Sequence, residues 1–255
     1  MAASPLPDGY RQEHHDSLAS TNAHALAAAR AGAAGGLWVT AGEQTAGRGR
    51  RGRAWTTGAG NLAASLMLVD LAPPEIAPTV SFVAALAAHQ AVVDVAGPAI
   101  AERLALKWPN DLLLDRMKIA GILVEGEGLP SGAFALVIGI GVNCVSHPEI
   151  AGGQAASNLA ARGLPVDAET LFARLALRMD EELRRWDRGR GFAGVRAAWL
   201  ARAAGIGEPI RANLAAGTVS GRFETLDEAG RLVLVGDDGS RRAIGAGDVF
   251  LSARG

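Results

Sequence analysis

The chain has 255 residues, 49% of them hydrophobic and 20% charged, with a formal net charge of −1. That length suffices for one large domain, or for a large one with a small companion, and near-neutrality argues against a general nucleic-acid coat, which is usually strongly basic. A lone cysteine, Cys144, leaves no intrachain disulfide. Met1 to Asp8 carry neither a cationic start nor an apolar core, so no signal peptide is expected. The most apolar stretch, Ser81 to Ile100, is interrupted by His89, Gln90 and Asp94. It reads as too polar for a bilayer span and as a buried helix instead, which points to a soluble, cytoplasmic protein.

In chain order, Tyr10 to Asp16 reads as an opening strand. Ser20 caps an alanine-rich helical run that reaches Arg30 and stops at Gly32. Leu37 to Thr40 is a strand and leads into an arginine-rich loop, and Asn61 to Val69 is a second apolar strand. Pro73 and Pro74 break the chain before a helix over Thr79 to Val95. Leu104 to Trp108 is a strand ended by Pro109. Asp111 to Leu114 and Lys118 to Glu125 form a hairpin around Asp115, Arg116 and Met117. Phe134 to Ile140 is a further strand. Asp167 caps an amphipathic helix with Leu171, Leu175, Met179 and Leu183 on one face, and Arg190 to Ala203 is another helix.

The pattern changes after Gly205. From Pro209 onward only short β runs remain, separated by turn signals such as Glu228-Ala229-Gly230 and Gly245-Ala246-Gly247. The reading is a small all-β domain, a barrel, behind a larger α+β domain, divided as 1–206 and 207–255.

Between Gly47 and Arg53, four arginines alternate with three glycines in seven residues, and Trp55 follows closely. Arginine offers a planar fork of donors that matches phosphate oxygens, and glycine lets backbone approach a ligand. A short tract flanked by strands reads as a phosphate-binding lid rather than as a disordered Arg-Gly segment for RNA.

Lys107-Trp108-Pro109-Asn110-Asp111 has two readings: Asp111 as a Mg²⁺ ligand with Lys107 or Asn110 on phosphates, or plain turn chemistry. Lys118 opens an apolar strand, so it is either a cation aimed at substrate charge or a lysine snorkelling from a turn. Gly121 in mid-strand marks a close approach. Asn143 is a base-edge reader or a turn residue. Ser20-Thr21-Asn22 binds a small polar head group or simply caps its helix. Cys144 reads as a buried structural thiol. His14 and His15 have no partner at metal-ligand spacing and read as strand or surface residues.

Taken in order, these motifs resemble biotin protein ligases, over nearly the whole chain: Ser20-Thr21-Asn22, Glu43 to Trp55, Lys107 to Asp111, Lys118 to Glu125 and Gly139 to Asn143. The resemblance implies a mixed-sheet catalytic domain with flanking helices, followed by an SH3-like β-barrel. It implies ATP-dependent activation of biotin as biotinyl-5′-AMP and transfer to a lysine of a biotin carboxyl carrier protein. It places Ser20, Thr21, Asn22, Gln44, Arg48, Arg50, Lys118 and Gly121 around biotin. It places Arg50, Arg53, Trp55, Lys107, Asn110, Asp111 and Asn143 around the nucleotide, with Asp111 on Mg²⁺. Lys118, Arg50 and Arg53 carry the catalysis in this reading.

Only nineteen residues precede Ser20, too few for the helix-turn-helix domain of some relatives, so DNA binding is not expected. Relatives include monomers and dimers, which leaves a homodimer open. The competing enzyme reading is a lipoate or octanoate ligase. The competing non-enzymes are a nucleic-acid-binding module and a biotin sensor.

Overall fold

The computed structural model describes residues 6–148, 155–214 and 217–251. Twelve strands and four α-helices are present among them. β1 (Arg11–Leu18) leads to α1 (Thr21–Arg30), β2 (Leu37–Gln44) and β3 (Leu62–Val69). α2 (Val80–Ala96) is followed by β4 (Leu104–Lys107), β5 (Asp111–Leu114), β6 (Met117–Gly128) and β7 (Phe134–Val142). α3 (Ala168–Trp186) and α4 (Phe192–Leu200) precede β8 (Pro209–Leu214), β9 (Gly217–Leu226), β10 (Leu232–Val235), β11 (Arg241–Ile244) and β12 (Asp248–Leu251).

The first seven strands form one mixed sheet in the order β1-β2-β3-β7-β6-β5-β4. β1 and β2 run parallel, joined by α1, and the other pairings are antiparallel. Period-two alternation sends Leu37, Val39, Met67, Ala135 and Val137 to one face, where α1 buries Ala25, Leu26 and Ala29. The opposite face carries α2, α3 and α4.

By length and composition, residues 77–96 pass as a membrane span, which corrects the expectation that this stretch is too polar. Packing is what makes it a core helix. α2 buries residues on every side, from Val80 and Phe82 to Ala91 and Val92. Edge-to-face contacts of Phe82 with Phe192 and Trp199 fix its start, at centroid distances of 5.6 and 5.5 Å.

The last five strands form an antiparallel sheet in the order β11-β10-β9-β8-β12, the SH3-like barrel. A register shift between Val233 and Leu234 bends it. The barrel does not stand apart: Ile210, Phe223, Leu232 and Val249 share one continuous core with α2 and the large sheet. The Trp108 indole donates to the Gly230 carbonyl at 3.1 Å. Gly230 has φ +76°, and a Cβ there would meet the Phe82 ring at 2.7 Å. That turn must therefore be glycine for the barrel to seat.

Two expectations shift. α4 is shorter than Arg190 to Ala203, because the chain reverses through Asp187 and Arg188 at φ 47° and 55°. At the other end Arg202 and Ala204 leave the helix to bond Leu106 at 2.8 Å each. The hairpin turn is the two residues Asp115 and Arg116, both at positive φ, so Met117 already belongs to β6.

Candidate active site

The loop from Thr45 to Asn61 folds back over the large sheet and roofs a cavity of about 430 Å³. The site residues that the resemblance implies all line this one cavity: Ser20, Thr21, Asn22, Gln44, Arg48, Arg50, Arg53, Trp55, Lys107, Asn110, Asp111, Lys118, Gly121 and Asn143. Asp248, Val249 and Phe250 of the barrel close one side.

One end of the cavity is a fixed polar framework. The Thr21 amide and hydroxyl both donate to Gln44 Oε1, at 2.9 and 3.1 Å, and Gln44 Nε2 donates to Thr57 at 3.0 Å. Ser65, fully buried in β3, places its hydroxyl 2.7 Å from Thr21 Oγ1 and 2.6 Å from Asn22 Oδ1. Asn22 Nδ2 donates to Glu125 Oε2 at 2.7 Å, and Arg48 reaches the same oxygen at 3.1 Å. A Cβ on Gly139 would lie 2.3 Å from Asn22 Oδ1, so the strand beneath must be bare there. Ser20 spends its hydroxyl on the Ala23 amide, as a helix cap.

The floor is built by glycine. Gly121 of β6 and Gly141 of β7 are cross-strand partners. The Trp55 ring lies on both: added Cβ atoms would come within 2.9 Å of its Cζ3 and 2.3 Å of its Nε1. Gly47 is equally constrained, since a Cβ there would meet the Trp55 carbonyl oxygen at 2.3 Å. The close approach that Gly121 marks in the sequence is made by the Trp55 ring, and Gly47 and Gly141 serve the same close approach.

Lys118 and Gly121 should face opposite sides of a regular strand. A bulge displaces this register: β5 pairs Leu112 with Ala120 but Leu113 with Lys118. The shift turns Lys118 to the cavity side, where its ammonium lies 5.4 Å from the Trp55 ring centroid. Its backbone is clamped from the other side by the 155–157 segment, with Lys118 N to Ala155 O at 2.8 Å and Ser157 N to Lys118 O at 2.9 Å.

Asp111 pairs directly across from Lys107, so the Trp108-Pro109-Asn110 turn, with a cis Trp108–Pro109 bond, sets the two side by side. One Asp111 oxygen lies 2.5 Å from Lys118 Nζ, the other 3.4 Å from Lys107 Nζ. Burial pushes the Lys107 ammonium below its ordinary pKa, with Asp111 opposing and Lys118 adding to the shift. Asn110 donates to the Ile122 carbonyl at 2.5 Å and accepts from Arg50 at 3.2 Å. Asn143 donates to the Ser157 carbonyl at 3.0 Å.

The arginine tract forms a tight excursion, with Gly49 N to Arg53 O at 2.7 Å and Arg51 at φ 57°. Asp248 holds it from the barrel: Arg53 lies 2.6 Å and Arg51 3.1 Å from its two oxygens. Burial alone would raise the Asp248 pKa, but these two arginines outweigh it and hold the carboxylate below its usual range. Arg50 is the inward member, and burial lowers the pKa of its guanidinium while Asp248 and Asp111 oppose the shift.

Cys144 is fully buried and burial pushes its thiol up to about 11, which makes it no nucleophile. Asp248, Ser65 and Glu125 are the partners that sequence reasoning did not assign. Glu125 ended a recognised motif and so carried some signal. Asp248 lies almost two hundred residues from the arginines it holds, with only a Gly-Ala-Gly turn before it.

Comparison with known proteins places this site in a family. Residues 17–143 match the biotin/lipoate A/B protein ligase family, and residues 205–252 match the biotin protein ligase C-terminal domain. A biotin–acetyl-CoA-carboxylase ligase of Paracoccus denitrificans is 44% identical over 91% of this chain and 96% of its own length. The bifunctional ligase/repressor BirA of Bacillus subtilis is 32% identical over 91% of this chain and 72% of its own. The chain belongs to the biotin protein ligase family. Among solved structures, the Aquifex aeolicus biotin protein ligase in complex with biotin and ATP has the same fold, with a TM-score of 0.78 at 24% identity over 95% of this chain and 99% of that one.

Proposed function

We propose that this chain is an ATP-dependent ligase that activates biotin as biotinyl-5′-AMP and transfers the biotinyl group to a lysine of a biotin carboxyl carrier protein. The observation that carries the reading is the charge of the cavity. Arg48, Arg50, Arg53, Lys107 and Lys118 line it against only Asp111 and Asp248, in a protein of net charge −1. Such a site suits a polyanion, and its Thr21–Gln44 end, where Arg48 is paired with Glu125, suits a neutral polar head group.

In this reading the biotin ureido ring lies against Thr21 and Gln44. The valerate carboxylate points to Lys118. A carboxylate oxygen attacks the α-phosphorus of ATP, the bond to the β-phosphate oxygen breaks, and pyrophosphate leaves. The carrier lysine, as a free amine, then attacks the acyl carbon. AMP departs, and the amine proton is lost to solvent. Lys118 offsets negative charge at the reacting phosphate, and Arg50 and Arg53 close over it. Trp55 offers its ring to adenine, with Asn143 at its edge. No protein nucleophile is required.

Asp111 does not fit the role of a resident Mg²⁺ ligand in this arrangement. Its carboxylate is already shared by two ammonium groups. We assign it instead the positioning of Lys107 and Lys118. A magnesium ion enters this account only with the phosphates of the nucleotide. We further propose a division into domains 1–206 and 207–255, and a cytoplasmic location.

The test is ATP–pyrophosphate exchange with purified protein, comparing biotin, lipoate and octanoate. Exchange with biotin alone is expected. Exchange with lipoate or octanoate instead would move the chain to the neighbouring branch of the family, and none with any acid would overturn the ligase reading.

A further inference from the structure

Among the described residues, one group of metal-ligating side chains lies apart from the cavity. Glu13 and His15, two residues apart on β1, share a face of the edge strand, and α1 passes over that face. His24, in the first turns of α1, completes the group. One ligand atom from each lies within 4.8 Å of the others. Sequence spacing hid this site, because the third ligand comes from the next element and not from the His14–His15 pair.

Three observations set the group apart from an ordinary surface cluster. The Nε2 atom of His15 is buried and makes no hydrogen bond. An imidazole nitrogen in that position goes unsatisfied unless something else bonds it. The His15 and His24 rings lie with centroids 4.6 Å apart, tilted by 59°. His24 Nε2 also lies 3.3 Å from Glu13 Oε2, so the carboxylate already turns toward the imidazoles. Around a tetrahedral zinc ion, donor atoms bonded at about 2.1 Å are separated by about 3.4 Å. The three ligand atoms, within 4.8 Å of one another, lie about an ångström and a half or less outside that spacing. Two imidazole nitrogens and one carboxylate oxygen are a borderline donor set that favours Zn²⁺ over the hard ion Mg²⁺.

We propose that Glu13, His15 and His24 bind a Zn²⁺ ion with a water as fourth ligand, tying β1 to the start of α1. The consequence reaches the cavity. The His24 amide closes the first turn of α1 onto the Ser20 carbonyl at 3.0 Å, and Thr21 of that turn faces Gln44. An ion on His24 fixes the turn that presents Thr21. The ion plays no chemical part in the reaction and acts as a staple.

The test uses the untagged full-length chain, stripped with chelator and titrated with ZnCl₂ in competition with a chromophoric chelator. One ion per chain is expected. Affinity falls about tenfold or more in each of H15A, H24Q and E13Q, and stays unchanged in H14A, whose imidazole bonds Thr40 instead. E13Q alters an exposed side chain, so it reports even where a histidine variant folds poorly. The Co²⁺-loaded protein should show intense visible absorption, as tetrahedral sites do. Absence of saturable binding, or affinity in E13Q and H24Q equal to that of the unsubstituted chain, or loss of binding in H14A, would overturn the proposal.

Discussion

The two ends of the cavity are held in different ways. At the Thr21 end, hydrogen bonds run between buried side chains on α1, β2 and β3, with Ser65 fully buried and Asn22 nearly so. At the arginine end, the tract is pinned to the barrel by ion pairs of Arg51 and Arg53 with Asp248, and the Arg53 side chain is 60% exposed. Exposed pairs of this kind contribute about 0–1 kcal/mol each. The first end is preformed for a neutral head group. The second is held by exposed ion pairs, and in the proposed function it exchanges one carboxylate for phosphates. In the proposed function, head-group recognition is built into regular structure, whereas anion capture adds to the strand lysines Lys107 and Lys118 a loop that can close.

That contrast can be broken at graded points. The largest effect is expected from Lys118→Ala, which should slow adenylate formation by about 10²–10³-fold while biotin binding stays nearly intact. Single-turnover adenylation with a parallel biotin titration separates the two, and unchanged adenylation would remove Lys118 from the chemistry. Gly141→Ala comes next. Its Cβ would sit 2.3 Å from Trp55 Nε1, so the ring must leave the floor. ATP affinity should weaken by about tenfold, with biotin affinity altered much less, since a stacked aromatic is worth about 1–3 kcal/mol per base. Arg50→Gly should leave adenylate formation measurable but let biotinyl-AMP escape, seen as several-fold more labelling of bystander lysines, on the order of a lost loop contact. The smallest effect is expected from Asp248→Asn. Its stability cost should stay below about 1 kcal/mol by denaturant melts, with biotin affinity unchanged and a shift confined to the nucleotide. A large loss of biotin affinity in this variant would show that the two ends are not independent.

Much of this was legible in the chain. Short apolar runs marked β2, β3 and β7, the Ser20 and Asp167 caps marked the starts of α1 and α3, and the site residues implied by the resemblance converge on one cavity. What stayed hidden is the work of tertiary contacts. The bulge opposite Leu113 that aims Lys118 leaves no mark in a smooth apolar run. Gly121 signalled a close approach without saying that Trp55 makes it. Asp248 belongs to a different sheet from the arginines it holds, and no local pattern links them. α4 is cut short because a backbone bridge to β4 competes for its last turn, an outcome that propensity does not register.

The most direct test of the contrast is hydrogen–deuterium exchange across the cavity, with and without biotin and ATP. Amides of residues 20–24 and 62–69 should already be protected in the free protein and change little. Residues 48–55 should exchange quickly when free and become strongly protected when both ligands are present. Equal protection of both regions before ligand, or no gain over residues 48–55 after it, would contradict the account.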